Sequence, residues 1–252
     1  LFVEGQVVVL KPNPVNDYIG PLIEEGFRGL IKRDFMRVVY GGGTEGAFLV
    51  RHPLVDEIHM TGSDRTFEAI VFGPGEEGAK RKAARTPQIT KPITAELGNI
   101  SPVIVVPGPW KNSDIQAQVA KVGTFFSSNA GCACLTPRVI INWQQWEQRQ
   151  QLNEALGNYL SQLQTRQAYY PGTVEIHKQF MAEHPDAWQL GATSDGHLPW
   201  TFIPDVDETN QEDICFTQEG FTSLMAETGL AAKNVEAFID KAVAFANERL
   251  WG

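Results

Sequence analysis

The residues best suited to chemistry sit in one ten-residue stretch, 129–138, which reads NAGCACLTPR. It holds two of the three cysteines, Cys132 and Cys134, among small residues. A thiolate is a strong nucleophile and a soft metal ligand. A Gly-Cys-Ala-Cys run keeps the backbone uncrowded, so a ligand can come close to a sulfur. The same run would also suit two buried cysteines that pack as small apolar groups. Zinc would need more ligands. Cys215 is distant, and no nearby histidine completes a set with usual spacing, so no metal is expected.

Three further positions offer complementary chemistry. Glu96 lies in ITAELG (93–98), where a carboxylate is either paired structurally or held for proton transfer. Lys11 directly follows the apolar run QVVVL (6–10), from which its ammonium could reach a phosphate or a ribose hydroxyl, or simply water. Thr61-Gly62-Ser63 turns a strand into a helix, whose free N–H groups make an anion site when a small residue leaves room. Ligands of open α/β sheets bind at such strand ends. The run Gly41-Gly42-Gly43 serves a turn or the same purpose.

The elements that must position these residues alternate in type. Apolar runs at 6–10, 36–40, 55–60, 93–98, 102–106 and 139–142 read as strands. Helical spacing occupies 15–30, 44–51, 65–72, 115–127 (opened by Asp114), 145–163 and 231–251. The Phe125-Phe126 pair before the cysteine run and Val139-Ile140-Ile141 after it give helix, tight loop, strand. Residues 73–91, rich in Gly, Pro and charge, read as a surface loop. Its cluster Lys80, Arg81, Lys82 and Arg85 is a solvated face or a contact for a cofactor phosphate. Residues 166–213 are mixed, and 215–227 read as extended. Strands alternating with helices indicate an α/β protein with parallel strands.

Composition narrows the function classes. The 252 residues carry a net charge of −9, against a nucleic-acid or anionic-membrane surface. No apolar run approaches the length of a membrane span. An odd cysteine count and the absence of a signal peptide point to a reducing, cytoplasmic setting. The chain opens without Met, directly in strand-like sequence, and is expected to be an internal piece of a longer protein.

KPN (11–13), TGS (61–63), ELGNISP (96–102), NAGCAC (129–134) and EGF (219–221) occur in that order. This resembles the NAD(P)-dependent aldehyde dehydrogenase superfamily, whose ELGGKSP and N-x-G-Q-x-C blocks the third and fourth motifs approach. The resemblance implies a partial Rossmann-type cofactor domain over 1–97 and a partial α/β catalytic domain over 98–252. It assigns Cys134 as the nucleophile, with Cys132 at the usual Gln position, and Glu96 as the general base. Lys11 would contact the adenosine ribose, Gly62 and Ser63 the cofactor pyrophosphate, and Glu219 the nicotinamide ribose. Leu97 joins them as a cofactor-binding residue. Asn99 replaces the second Gly of ELGG, which implies a tighter backbone beside the nicotinamide. Pro14 stands where many NAD-using members have Glu, which leaves NAD and NADP both open. The implied reaction oxidises a small-molecule aldehyde to an acid in a full-length homo-oligomer, a dimer or tetramer. The family's oxyanion-hole asparagine would lie upstream of Leu1. The alternatives are a CoA-acylating aldehyde dehydrogenase or acyl-CoA reductase, which Glu96 argues against, and a non-catalytic relative.

Overall fold

Strands form where short β-branched runs stop at glycine or proline. The computed structural model describes residues 2–252, which divide between Leu97 and Gly98 into two compact units. In the first unit β1 (Val8–Leu10) pairs in parallel with β2 (Met36–Val38), Val8 opposite Met36. The continuous helix expected over 15–30 is broken into a 3₁₀ turn (Pro14–Ile19), α1 (Gly20–Gly26) and α2 (Arg28–Ile31). Pro14 and Pro21 cause the first break. Proline cannot donate an N–H to a preceding turn and is tolerated only where a helix starts. After β2 the triple glycine leads into α3 (Gly43–Arg51).

A second parallel pair joins β3 (Ile58–Thr61) to β4 (Ile93–Glu96), with Thr61 opposite Glu96. Between them lie α4 (Asp64–Val71) and α5 (Gly75–Ala84). The loop expected at 73–91 therefore holds a ten-residue helix. Its charges favour the helix: Glu76 and Glu77 occupy the first turn, Arg81 and Lys82 the last, each opposite in sign to the helix dipole. Arg85 ends it in the left-handed region. Among the described residues of this unit, few apolar side chains are buried, Pro12, Met36 and Val71 being examples, while Val7, Val9, Phe48 and Leu54 are exposed.

The second unit is built on one five-stranded sheet. Its members are β5 (Ser101–Ile104), β6 (Pro137–Trp143), β8 (Trp188–Leu190), β10 (Trp200–Ile203) and β11 (Leu224–Leu230). The order is β5-β6-β11-β10-β8, parallel except for the edge strand β8. A small antiparallel pair, β7 (Arg166–Gln167) with β9 (His197–Leu198), stands apart. Neighbouring residues of a strand face opposite sides. Val139 and Ile141 of β6 accordingly join one core cluster, and Ile140 the other. The first cluster is closed by α8 (Thr173–Glu183), α9 (Ile214–Thr217) and α10 (Val235–Glu248), through Phe180, Phe216, Phe238 and Phe245. The second is closed by α6 (Asn112–Ser127) and α7 (Arg149–Ser161), through Ile115, Val119, Leu152, Leu156 and Leu160. A sheet covered on both faces explains why β6 reads as an unbroken apolar run.

Several boundaries differ from the expectation, α7 starting at Arg149 rather than 145 and α10 at Val235 rather than 231. Asp114 is the third residue of α6, not its opener, and its carboxylate accepts the N–H of Lys111 at 2.9 Å. Residues 215–227 are not wholly extended, because Asp213 caps α9 by accepting the N–H of Cys215 at 2.9 Å. One buried charge ties the layers together. Glu227 of β11 is fully buried and accepts from Arg149 Nε at 2.8 Å, Asn142 Nδ2 at 2.8 Å, Asn153 Nδ2 at 3.1 Å and the Asp205 N–H at 3.2 Å. A buried carboxylate with so many donors is tolerated, whereas one without them is costly.

Candidate active site

The cysteine stretch links α6 to β6. Asn129, Ala130 and Gly131 all have positive φ (50°, 58° and 76°), three left-handed residues in a row. Such conformations cost on the order of 1–3 kcal/mol for a non-glycine residue, so the surroundings must hold them. Glycine is required at 131, because a Cβ there would lie 2.3 Å from the Thr222 carbonyl oxygen. The holding group is Arg138, whose buried guanidinium donates to the carbonyls of Gly131, Thr222 (2.6 Å) and Leu224 (3.2 Å). Burial lowers its pKa to about 10, partly countered by the Glu219 carboxylate.

The two thiols differ sharply. Cys132 is buried, its Sγ 3.5 Å from the Phe221 carbonyl oxygen, and burial pushes its thiol up. Cys134 is exposed. It is the second residue of a turn over 133–136, closed by the Thr136 N–H on the Ala133 carbonyl at 3.1 Å. Its own carbonyl accepts two hydrogen bonds, from Asn99 Nδ2 at 3.0 Å and from Ser101 Oγ at 3.1 Å. Ser101 Oγ also lies 2.5 Å from Asn99 Oδ1. The exposed thiol thus sits on an anchored backbone.

Glu219 lies in the loop before β11, close to Gly98. A Cβ on Gly98 would meet Glu219 Oε2 at 2.2 Å, so only glycine lets the carboxylate lie there. Gly98 and Asn99 precede β5, Cys134 precedes β6 and Glu219 precedes β11, and these three strands are adjacent and parallel. The second unit therefore gathers its candidate residues at the amino edge of one sheet.

In the first unit the candidates follow their strands. The β3–β4 pairing places the Gly62-Ser63 turn beside Glu96, with the Gly62 N–H donating to the Glu96 carbonyl at 3.0 Å. Gly62, Ser63 and Glu96 are exposed, and Leu97 is half-buried. Ser63 Oγ caps α4 by accepting the Thr66 N–H at 3.2 Å. Lys11 follows β1, in the other strand pair, and runs along α3, 3.8 Å from where a Cβ on Gly46 would be. It helps hold the Glu45 carboxyl below its usual range, after the backbone hydrogen bonds at the start of α3.

The model of the aldehyde dehydrogenase family matches residues 2–175. The chain belongs to the aldehyde dehydrogenase family. It is 30% identical over 134 residues to aldehyde dehydrogenase LUC3 of Fusarium sp, a match spanning 53% of this chain and 26% of that protein. Among solved structures it resembles the NADP-dependent glyceraldehyde-3-phosphate dehydrogenase of Bacillus halodurans (TM-score 0.72, 18% identity, 93% of this chain and 47% of that one). It also resembles the NAD-dependent aldehyde dehydrogenase of Sinorhizobium meliloti (TM-score 0.72, 21% identity, 96% and 46%). The chain thus spans about half the length of these solved relatives.

As an aldehyde dehydrogenase family member the chain shows three groups that the motifs do not announce. Asn99 and Ser101 were visible in ELGNISP, but their hold on the Cys134 carbonyl needs the β5–β6 pairing. Arg138 had a signal: it is the one charged residue between Leu135 and Trp143. Among the described residues, no helix is long and apolar enough to cross a membrane.

Proposed function

We propose that the full-length protein oxidises an aldehyde to a carboxylic acid with NAD or NADP, the first unit binding cofactor and the second carrying the nucleophile. The observation that carries this reading is the contrast between an exposed, backbone-anchored Cys134 and a buried Cys132. A thiol in contact with solvent can form and use its thiolate, while one desolvated beside carbonyl oxygens cannot.

Cys134 adds to the aldehyde carbon as thiolate and forms a thiohemiacetal. At the second position of a β-turn the Cys134 N–H is not the closing donor and is free to face the developing oxyanion. A nicotinamide held by the first unit would supply the hydride acceptor. Loss of hydride leaves a thioester on Cys134. Glu96 takes a proton from the water that hydrolyses it, a step worth roughly 10²–10⁴-fold.

The first unit offers a fitting cofactor surface. Gly62 and Ser63 are exposed at the start of the eight-residue α4, whose N-terminal end favours a pyrophosphate. Lys11, Gly62, Ser63 and Leu97 would hold the cofactor, and Glu219 its nicotinamide ribose. Either NAD or NADP is proposed, since one similar structure is described as NADP-dependent and another as NAD-dependent.

The test is NADH or NADPH formation from a panel of aldehydes without CoA. Cys134→Ser should lower turnover by on the order of 10³-fold or more, and Cys132→Ser should keep most of it. Activity that survives Cys134→Ser would overturn the assignment, and an absolute requirement for CoA would favour the acylating reaction.

A further inference from the structure

We propose that His184, Asp213 and Cys215 form a zinc(II) site in the second unit, distinct from the nucleophile turn. His184 is the C-cap just after α8, Asp213 caps α9 and Cys215 lies in the first turn of α9. Their three donor atoms lie within 4.8 Å of one another, with His184 Nε2 3.1 Å from Asp213 Oδ1 and 3.5 Å from Cys215 Sγ.

The two separations from His184 Nε2 match two edges of a coordination tetrahedron. Zinc bonds of about 2.3 Å to sulfur and about 2.0–2.1 Å to nitrogen and oxygen put N and O roughly 3.3 Å apart, and N and S roughly 3.5 Å apart. A thiolate, an imidazole and one carboxylate oxygen suit zinc rather than magnesium or calcium, which take oxygen ligands.

Burial and charge point the same way. Cys215 and Asp213 are 4% and 6% exposed. The His184 side chain is 17% exposed, so the cluster reaches the surface on that side. Zinc(II), one thiolate and one carboxylate sum to zero, so the loaded site is buried without net charge. The carboxylate is already oriented, since Oδ1 accepts the Cys215 N–H at 2.9 Å and Oδ2 lies 3.4 Å from Asn210 Nδ2. Such outer contacts fix a ligand before the metal arrives. On binding, the Cys215 thiol proton leaves to solvent, and the His184 proton that faces Asp213 Oδ1 leaves or moves to Nδ1 so that Nε2 can offer its lone pair, so affinity falls at low pH. None of the three residues has a part in the proposed aldehyde chemistry.

The experiment uses the full-length protein, stripped with a chelator and titrated with cobalt(II) and then zinc(II), with no other ligand. The expected result is one cobalt per chain, a thiolate-to-cobalt charge-transfer band in the near ultraviolet, and displacement by zinc. Cys215→Ser should abolish the band. His184→Gln, at a helix end, should weaken zinc binding by more than about 100-fold with the thermal melt retained, beyond the usual cost of an outer contact. Cys134→Ser should leave band and affinity unchanged. The proposal is overturned if no band forms, if His184→Gln binds zinc like the parent, or if the band survives Cys215→Ser and is lost with Cys134→Ser.

Discussion

The two units place their candidate residues at opposite ends of their strands. In the first, Lys11, the Gly62-Ser63 turn and Glu96 stand at or just beyond the carboxyl ends of β1, β3 and β4. In the second, Asn99, Cys134 and Glu219 come just before β5, β6 and β11. Their packing differs as well. Both core clusters lie in the second unit, while the first has two separate strand pairs and many exposed apolar side chains. The strained turn of 129–131 stands in the unit with the dense core. Three left-handed residues persist there because Arg138 and the Thr222 backbone leave them no alternative. The first unit carries its candidate residues on ordinary turns and helix starts, which need less support.

The largest expected effect tests the packing contrast. Leu156→Ala, at a buried site of the second unit, should cost about 3 kcal/mol in urea unfolding. Phe48→Ala, on an exposed site of the first, should stay within about 0.5 kcal/mol. Equal losses would break the comparison.

Next in size is the turn. Gly131→Ala should destabilise by about 2–3 kcal/mol, because left-handed strain adds to a clash with the Thr222 carbonyl. Gly75→Ala, at φ +69° in open space, should lose about 1 kcal/mol from strain alone.

Asn99→Gly probes the anchored backbone at Cys134. It removes one of two donors to the Cys134 carbonyl, so kcat should fall about tenfold with KM and melting temperature little changed. A fall in melting temperature matched by no change in kcat would make Asn99 purely structural.

The smallest effect concerns pH. His177 is buried, with Nε2 2.8 Å from Thr201 Oγ1, and burial lowers its pKa. The folded state then binds fewer protons than the unfolded one, whose His titrates near about 6.5. This stability is present above that pH and is lost as pH falls through it toward the lower folded value. The thermal melt should decline more steeply between about pH 6.5 and 5 in the parent than in His177→Gln, and identical profiles would remove His177 as the cause.

Much of the fold is legible in the sequence. The strands β1, β2 and β6 are marked by apolar runs, and the loop of small residues with its two thiols stands out by residue type alone. Other features are hidden for identifiable reasons. α5 is obscured because Ala79, Ala83 and Ala84 are its only apolar side chains, and a solvated helix without large apolar residues has no stripe to detect. The break in 15–30 is signalled by Pro14 and Pro21, but the apolar spacing speaks for continuity. His184 lies 29 residues before Asp213, so no local spacing joins them.

The sequence by itself determined the family, the alternation of strand and helix, and which residue types could act as nucleophile, base and anion-binding turn. These are local properties: side-chain chemistry, periodicity and the order of short motifs. Tertiary structure alone decided that Cys132 is buried and Cys134 exposed, although one residue separates them. It also decided that Asn99 and Ser101 hold the Cys134 carbonyl, and that Arg138 fastens the turn to the Thr222 backbone. Burial and hydrogen-bond partners depend on which strands lie side by side. The adjacency of β5, β6 and β11 is set by packing across both faces of the sheet rather than by any stretch of chain within it.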